Sequence, residues 1–222
     1  MENAKRVAML IKESQLLTTG EFAAQLIVLP LMLFFGVTGT FSGESAALSG
    51  RVSADIISFW YVLYSLQVIS RLDSRGISRL FGQLPVARQD LVRGHYLFVG
   101  VYALVGWLLG CTLIFVKLRN HLGAPAVYLL IVPLALTAIA AHLLDNQLRY
   151  GQMVGGPLDT LLLAGKTGFL ALAYLPWFGS GAASFTLPTW LLFFLGLAGG
   201  AGIMLWCCQR NCRKHDTASK GS

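Results

Sequence analysis

The sequence predicts an all-α polytopic membrane protein of six transmembrane helices, flanked by an N-terminal interfacial helix and interrupted by one long basic cytoplasmic loop. Three observations lead there. Of 222 residues, 55% are hydrophobic and only 12% charged, with a mean hydropathy of +0.65, a balance outside the range of soluble domains. The apolar residues fall in segments near the roughly 20 residues a helix needs to cross a bilayer, or within the range of about 17–25. The basic residues, finally, collect in alternate connecting segments, as the positive-inside rule requires of cytoplasmic loops.

Met1–Leu17 mixes Lys5, Arg6, Lys12 and Glu13 with an apolar side of Ala4, Val7, Ala8, Leu10 and Ile11. That pattern fits a helix lying in the headgroup plane, or equally a solvated helical start to the first span. Thr18-x-x-Glu21 has the form of a capping box that opens a new helix. Residues 18–209 form the transmembrane domain. Its first span covers Phe22–Val37, with Pro30 inside and a kink expected there. A polar loop, Thr38–Ser53, leads to a second span at Ala54–Ser70. The third span is Leu97–Val116, followed by the short polar Lys117–Gly123. The fourth is Pro125–Leu144, with Pro133 inside, and Asp145–Pro157 is read as a Gly-rich turn. The fifth and sixth are Thr160–Trp177 and Leu187–Trp206, joined by the uncharged Phe178–Thr186. Residues 210–222 are a short tail.

Six spans put both termini on the same side. With that side cytoplasmic, Lys5, Arg6, Lys12, Arg149, Arg210, Arg213, Lys214, Lys220 and the loop arginines lie inside. Arg51, Lys117 and Arg119 lie outside, and Lys166 is within a span. This distribution fixes the expected orientation in the cytoplasmic membrane. It also accounts for the net charge of +7 without nucleic acid. The start lacks the charged head, apolar core and small-residue site of a cleavable leader, so none is expected.

The loop at residues 71–95 carries Arg71, Arg75, Arg79, Arg88 and Arg93. Ile77, Leu80, Phe81 and Leu84 recur at i, i+3, i+4 and i+7, giving a helix with one apolar face. Leu84-Pro85 ends it, because the residue before proline is driven from the α region, and Pro85 suits the first turn of the next helix. The product is a compact knob for a soluble partner, or a basic loop that sets topology and touches headgroups.

The run Leu84-Pro85-Val86-Ala87-Arg88-Gln89-Asp90-Leu91-Val92-Arg93-Gly94-His95-Tyr96-Leu97 resembles a signature of small ABC-2-type permeases, the membrane subunits of bacterial ABC exporters. There it usually reads L-P-V-S-R-x-x-I-V-x-x-K-Y-L. This chain departs at Ala87, Leu91 and His95, the last replacing a fixed positive charge by a side chain mostly neutral at pH 7. The order of elements extends the resemblance over nearly the whole chain. It implies a second permease half, a separate ATP-binding subunit holding ATP and Mg, and a coupling helix at Gly76–Leu84. Arg75, Ile77, Arg79, Leu80, Phe81, Leu84, Pro85 and Arg88 would meet the ATPase, with Phe81 as anchor and the arginines at the rim. Relatives commonly export amphipathic peptides, toxins or antibiotics. A haem-exporter-type permease and a non-transport scaffold are the alternatives.

Other chemistry is thin. Gly165-Lys166-Thr167 ends like a phosphate loop, but Thr160 stands where the motif needs glycine. The chain is therefore not read as an enzyme, and no cofactor is assigned to it. Asp145, His142 and Arg149 share one face at the inner end of the fourth helix, as a local ion pair or a gating contact. Lys166 either lines a pathway and binds an acidic group or snorkels to the inner headgroups. Cys207, Cys208, Cys212 and His215 match no zinc spacing, and reduced or lipidated thiols are the expectation. Ser180 and His142 fall on opposite sides of the membrane, which excludes a serine protease dyad.

Overall fold

The computed structural model describes residues 2–16, 27, 44–74, 87–117, 123–153, 156–172 and 188–219. Among these residues the chain forms six helices and no strand. They are α1 (Glu2–Leu16), α2 (Glu44–Ser74), α3 (Arg88–Lys117), α4 (Gly123–Tyr150), α5 (Pro157–Leu172) and α6 (Thr189–Ser219). Three of them hold stretches long and apolar enough to cross a membrane: Arg88–Leu113, Leu129–Tyr150 and Trp190–Arg213. The first span expected from sequence, apart from residue 27, lies outside the described residues. So do the capping box at Thr18, residues 75–86 of the 71–95 loop, and the connection Phe178–Thr186. The fifth span is described only as far as Leu172.

Three boundaries differ from the sequence reading. The polar Thr38–Ser53 loop is helical from Glu44 onward, so α2 runs 31 residues, about 46 Å at 1.5 Å per residue. Asp145–Tyr150 belongs to α4 rather than to a turn, leaving 151–156 as the connection to α5. The segment read as a tail from residue 210 continues α6 to Ser219. In each case polar residues extend a helix beyond its apolar part, because polarity changes what a helix face touches without breaking its backbone hydrogen bonds.

The helix ends follow local rules. Ala87 accepts the first backbone bonds of α3, from the N–H groups of Asp90 at 2.8 Å and Leu91 at 3.2 Å, so it occupies the N-cap. Asp90 in that first turn complements the positive end of the helix. Gly151, at φ 67°, closes α4 with its N–H on the Gln147 carbonyl at 3.0 Å, an αL cap. Gly156 then caps α5, and Pro157 takes the first helical position, where its missing N–H costs nothing.

Packing makes α3 the central helix, touching α1, α2, α4 and α6. Between apolar spans in lipid the hydrophobic effect gives no net pull, so close contact and interhelical hydrogen bonds must hold the bundle. Ala4, Val7 and Ile11 form the buried face of α1, seated on the start of α3 where Gly94 leaves no room for a Cβ beside Val7. Of the apolar side read from the sequence, Leu10 instead faces outward. On the α2–α3 seam the Ser58 hydroxyl lies 2.9 Å from the Ala54 carbonyl and 3.2 Å from that of Gly106. Tyr102 packs between Phe98, Tyr61 and Tyr64 on the same seam.

The α4–α6 seam is closer still. Pro133 lies inside α4 and cannot donate to the Leu129 carbonyl four residues earlier. Gly196 of α6 rests against that carbonyl, so a Cβ there would collide with the oxygen and with Pro133. Two features of the sequence thus meet at one crossing. Trp107 of α3 stacks on Phe193 of α6, centroids 5.0 Å apart, just beside it.

Candidate functional site

One end of the bundle gathers the start of α3, the ends of α4 and α6, and the start of α5. The polar side chains buried there lie on three of these helices, and the half-buried Asp159 is on the fourth. Tyr96 of α3, Asn146 of α4 and Asn211 of α6 are each 5% exposed or less. Buried polar groups persist only when hydrogen-bonded, and the bonds here cross between helices.

The first chain of contacts joins α3, α6 and α4. The Asn211 amide donates to the Tyr96 hydroxyl at 2.9 Å, and its oxygen accepts from Arg149 at 3.2 Å. The same Arg149 guanidinium pairs with Asp145 at 2.7 Å. Alongside it, the Cys212 thiol is 3.8 Å from the Gln89 carbonyl, a second link from α6 to the first turn of α3. Arginine suits this junction because its planar fork serves two acceptors at once and cannot lose its charge.

The second chain joins α4 to α5. Asn146 donates to the Asp159 carboxylate and, at 3.2 Å, to the Met153 carbonyl, bracing the short connection between the two helices. His142 Nε2 lies 3.0 Å from the other oxygen of Asp159, a contact that becomes an ion pair when the imidazole is protonated. Asp159 sits in the first turn of α5, where the helix end also favours its charge.

The sequence-based site residues divide accordingly. Asp145 and Arg149 are brought together as expected, four residues apart on α4. His142, grouped with them by spacing, turns instead to Asp159. Lys166 stands apart from both chains, beside an open cleft of about 480 Å³ between α4, α5 and α6. Arg88 is exposed at the start of α3. Arg75, Ile77, Arg79, Leu80, Phe81, Leu84 and Pro85 lie outside the described residues. Cys207, Cys208 and Cys212 are free thiols along α6, and among the described residues no group of three or more His, Cys, Asp or Glu side chains is arranged to hold a metal ion. His95, the residue that departs from the permease pattern, is buried. Its Nδ1–H donates to the Leu91 carbonyl at 2.8 Å, so the ring is held within its own helix.

Asn146, Asp159 and Asn211 were not singled out by sequence, and Tyr96 stood out only as a position that matches the permease pattern. Asn211 is the nearest to a detectable signal, as a lone amide among cysteines on an otherwise apolar helix face. Its partner is 115 positions away, and no local pattern joins them.

The contacts tie four helix ends into one polar junction that includes the start of α3. The start of α3 is thus joined to α6 through Asn211 and Cys212, and α6 to α4 through Arg149. Comparison with known families places such a junction in context. The family model described as ABC-2 family transporter protein matches residues 9–206. No curated protein and no solved structure matches the chain.

Proposed function

The chain belongs to the ABC-2 transporter family as a membrane permease, and from that premise we propose that it is one half of an ABC exporter for an amphipathic peptide, toxin or drug-like molecule. ATP is hydrolysed by a separate subunit. The observation that carries this reading is the family match, which covers all but short ends of the chain. The polar junction gives it a mechanical form.

In this reading Gly76–Leu84 is a coupling helix seated in a groove of the ATPase, with Phe81 in a pocket and Arg75, Arg79 and Arg88 steering the approach. Closure of the ATPases displaces the start of α3. The Tyr96–Asn211–Arg149 chain passes the displacement to α6 and α4, and the Asp145–Arg149 pair acts as a gating tie that opens and reforms. Six spans complete the permease, two such halves enclose the pathway, and both termini are cytoplasmic. Support for that orientation comes from the basic residues at the junction end: Arg88, Arg93, Arg149, Arg210 and Arg213, with Lys5 and Arg6 of α1 alongside. Trp206, exposed with Arg210 5.5 Å from its ring, suits the membrane interface at that level.

A tagged pull-down from the native membrane, with Phe81→Asp beside the wild type, tests the proposal. The wild type brings down a Walker-motif ATPase and the variant loses it. Retention by both would move the contact elsewhere on the chain. Absence from both, with crosslinking before solubilisation, would leave a scaffold without ATP coupling.

A further inference from the structure

The cleft beside Lys166 is separate from the polar junction. Leu134 and Ala138 of α4, Leu161 and Leu162 of α5, and Ile203 of α6 line it, with the Lys166 amine as its one charged group. Its volume of about 480 Å³ lies within the span of about 300–1,000 Å³ typical of small-molecule sites. It opens on the outer side of α5, where Leu158, Leu161 and Leu162 are 52–70% exposed. That is the side a surrounding bilayer would cover.

A charged side chain inside a span is costly unless paired or able to reach a polar layer. Lys166 is only partly exposed and makes no ion pair among the described residues. The nearby carboxylates have other partners, Asp159 in Asn146 and His142, and Asp145, through one oxygen, in Arg149. They attract the amine from a distance without meeting it. An apolar groove open to lipid, with one uncommitted cation at its edge, is complementary to a molecule with a long apolar chain and an anionic head.

We propose that the cleft between α4, α5 and α6 holds an anionic phospholipid of the cytoplasmic leaflet, its phosphate on the Lys166 ammonium and an acyl chain along Leu134, Ala138, Leu161, Leu162 and Ile203. The leaflet rests on the orientation proposed above. The binding itself rests only on the cleft. Lys166 lies nine residues into α5, about 14 Å along its axis, and its four-carbon stem reaches back toward the helix start and the headgroup layer. The lipid would wedge α5 against α4 beside the Asp159 contacts.

The fold supplies a clean blocking variant. Gly165 lines the cleft, yet a Cβ built on it meets nothing within 4 Å. Gly165→Leu therefore adds an apolar side chain to the groove with open space at its Cβ, and improves helix propensity. The full-length permease is reconstituted in nanodiscs of equimolar phosphatidylglycerol and phosphatidylethanolamine, and retained lipid is counted by native mass spectrometry. The wild type retains phosphatidylglycerol in excess. Lys166→Gln lowers that excess about fivefold, the effect of one cation near an anionic headgroup, and Lys166→Arg keeps it. Gly165→Leu abolishes it while the helical circular dichroism is unchanged. A wild type without headgroup preference overturns the site, as does a preference that survives either Lys166→Gln or Gly165→Leu. ATPase co-purification is read on the same samples. Its loss with lipid retention intact counts against the exporter reading alone.

Discussion

Replacing Asn211 by leucine tests the junction at its hub. The side chain is 2% exposed, so water cannot substitute for what is lost. Leucine has nearly the same shape but removes two interhelical bonds, one to Tyr96 at 2.9 Å and one to Arg149 at 3.2 Å. Interhelical hydrogen bonds in membrane proteins contribute about 0.6 kcal/mol on average and about 1.7 kcal/mol at most. The expected loss is therefore about 1–3 kcal/mol. Arg149 keeps its contact to Asp145 at 2.7 Å, which limits the damage to the shared bonds. Tyr96→Phe removes one of the same two bonds and should cost about 0.6 kcal/mol. The assay is reversible unfolding in mixed micelles for the wild type, both single variants and the double variant. Residues sharing a bond show an interaction energy of about 0.5–3 kcal/mol, whereas independent sites add to within about 0.3–0.5 kcal/mol. Additivity of Tyr96→Phe and Asn211→Leu refutes the argument that one bond joins α3 to α6 here.

Further expectations follow from single positions. Gly196→Val drives a side chain into the Leu129 carbonyl and Pro133, and should cost at least the about 1–3 kcal/mol of an overpacked core. Gly202→Ala, where a Cβ meets nothing within 4 Å, should be neutral or gain up to about 1 kcal/mol, and equal losses in the two would discount the α4–α6 crossing. Ala87→Ser supplies the missing side-chain acceptor at the N-cap of α3 and should stabilise its start by about 0.5–2 kcal/mol, seen as slower amide exchange at Asp90 and Leu91. Asp159→Ala strips Asn146 and His142 of their α5 partner. Chymotrypsin cleavage after Tyr150, which is 66% exposed, should then rise in detergent, and an unchanged rate would mean the connection is held by other contacts.

Much of the fold is visible in the residues themselves. The apolar runs gave α3, α4 and α6 as spans, and the apolar side read for α1 contains its buried Ala4, Val7 and Ile11 together with the exposed Leu10. Pro133 was visible as a break in donor pattern, but its consequence depends on Gly196, and which helix crosses at that height is a tertiary fact. The ends of α2 and α6 were missed because charged residues such as Glu44, Arg51 and Arg213 were read as loop. Charge marks contact with water, and helices also reach into water. The junction was half legible. Asp145 and Arg149 are four apart, which any helix brings together. His142 is three from Asp145, yet its partner comes from α5, and no spacing rule encodes the packing of α5 on α4. The Lys166 cleft is legible only as an isolated cation in an apolar run; its walls come from three helices.

In the proposed exporter, a separate ATPase docks on residues 76–84, the segment before α3. Site-specific photocrosslinking in native membranes tests it most directly, with the crosslinker placed at Phe81 and, as a control, at Trp190, the first residue of the α6 span at the opposite end. The expected result is a crosslink from position 81 to a Walker-motif ATPase and none from position 190. An ATPase captured from position 190, or from neither position while the permease is fully inserted, would contradict it.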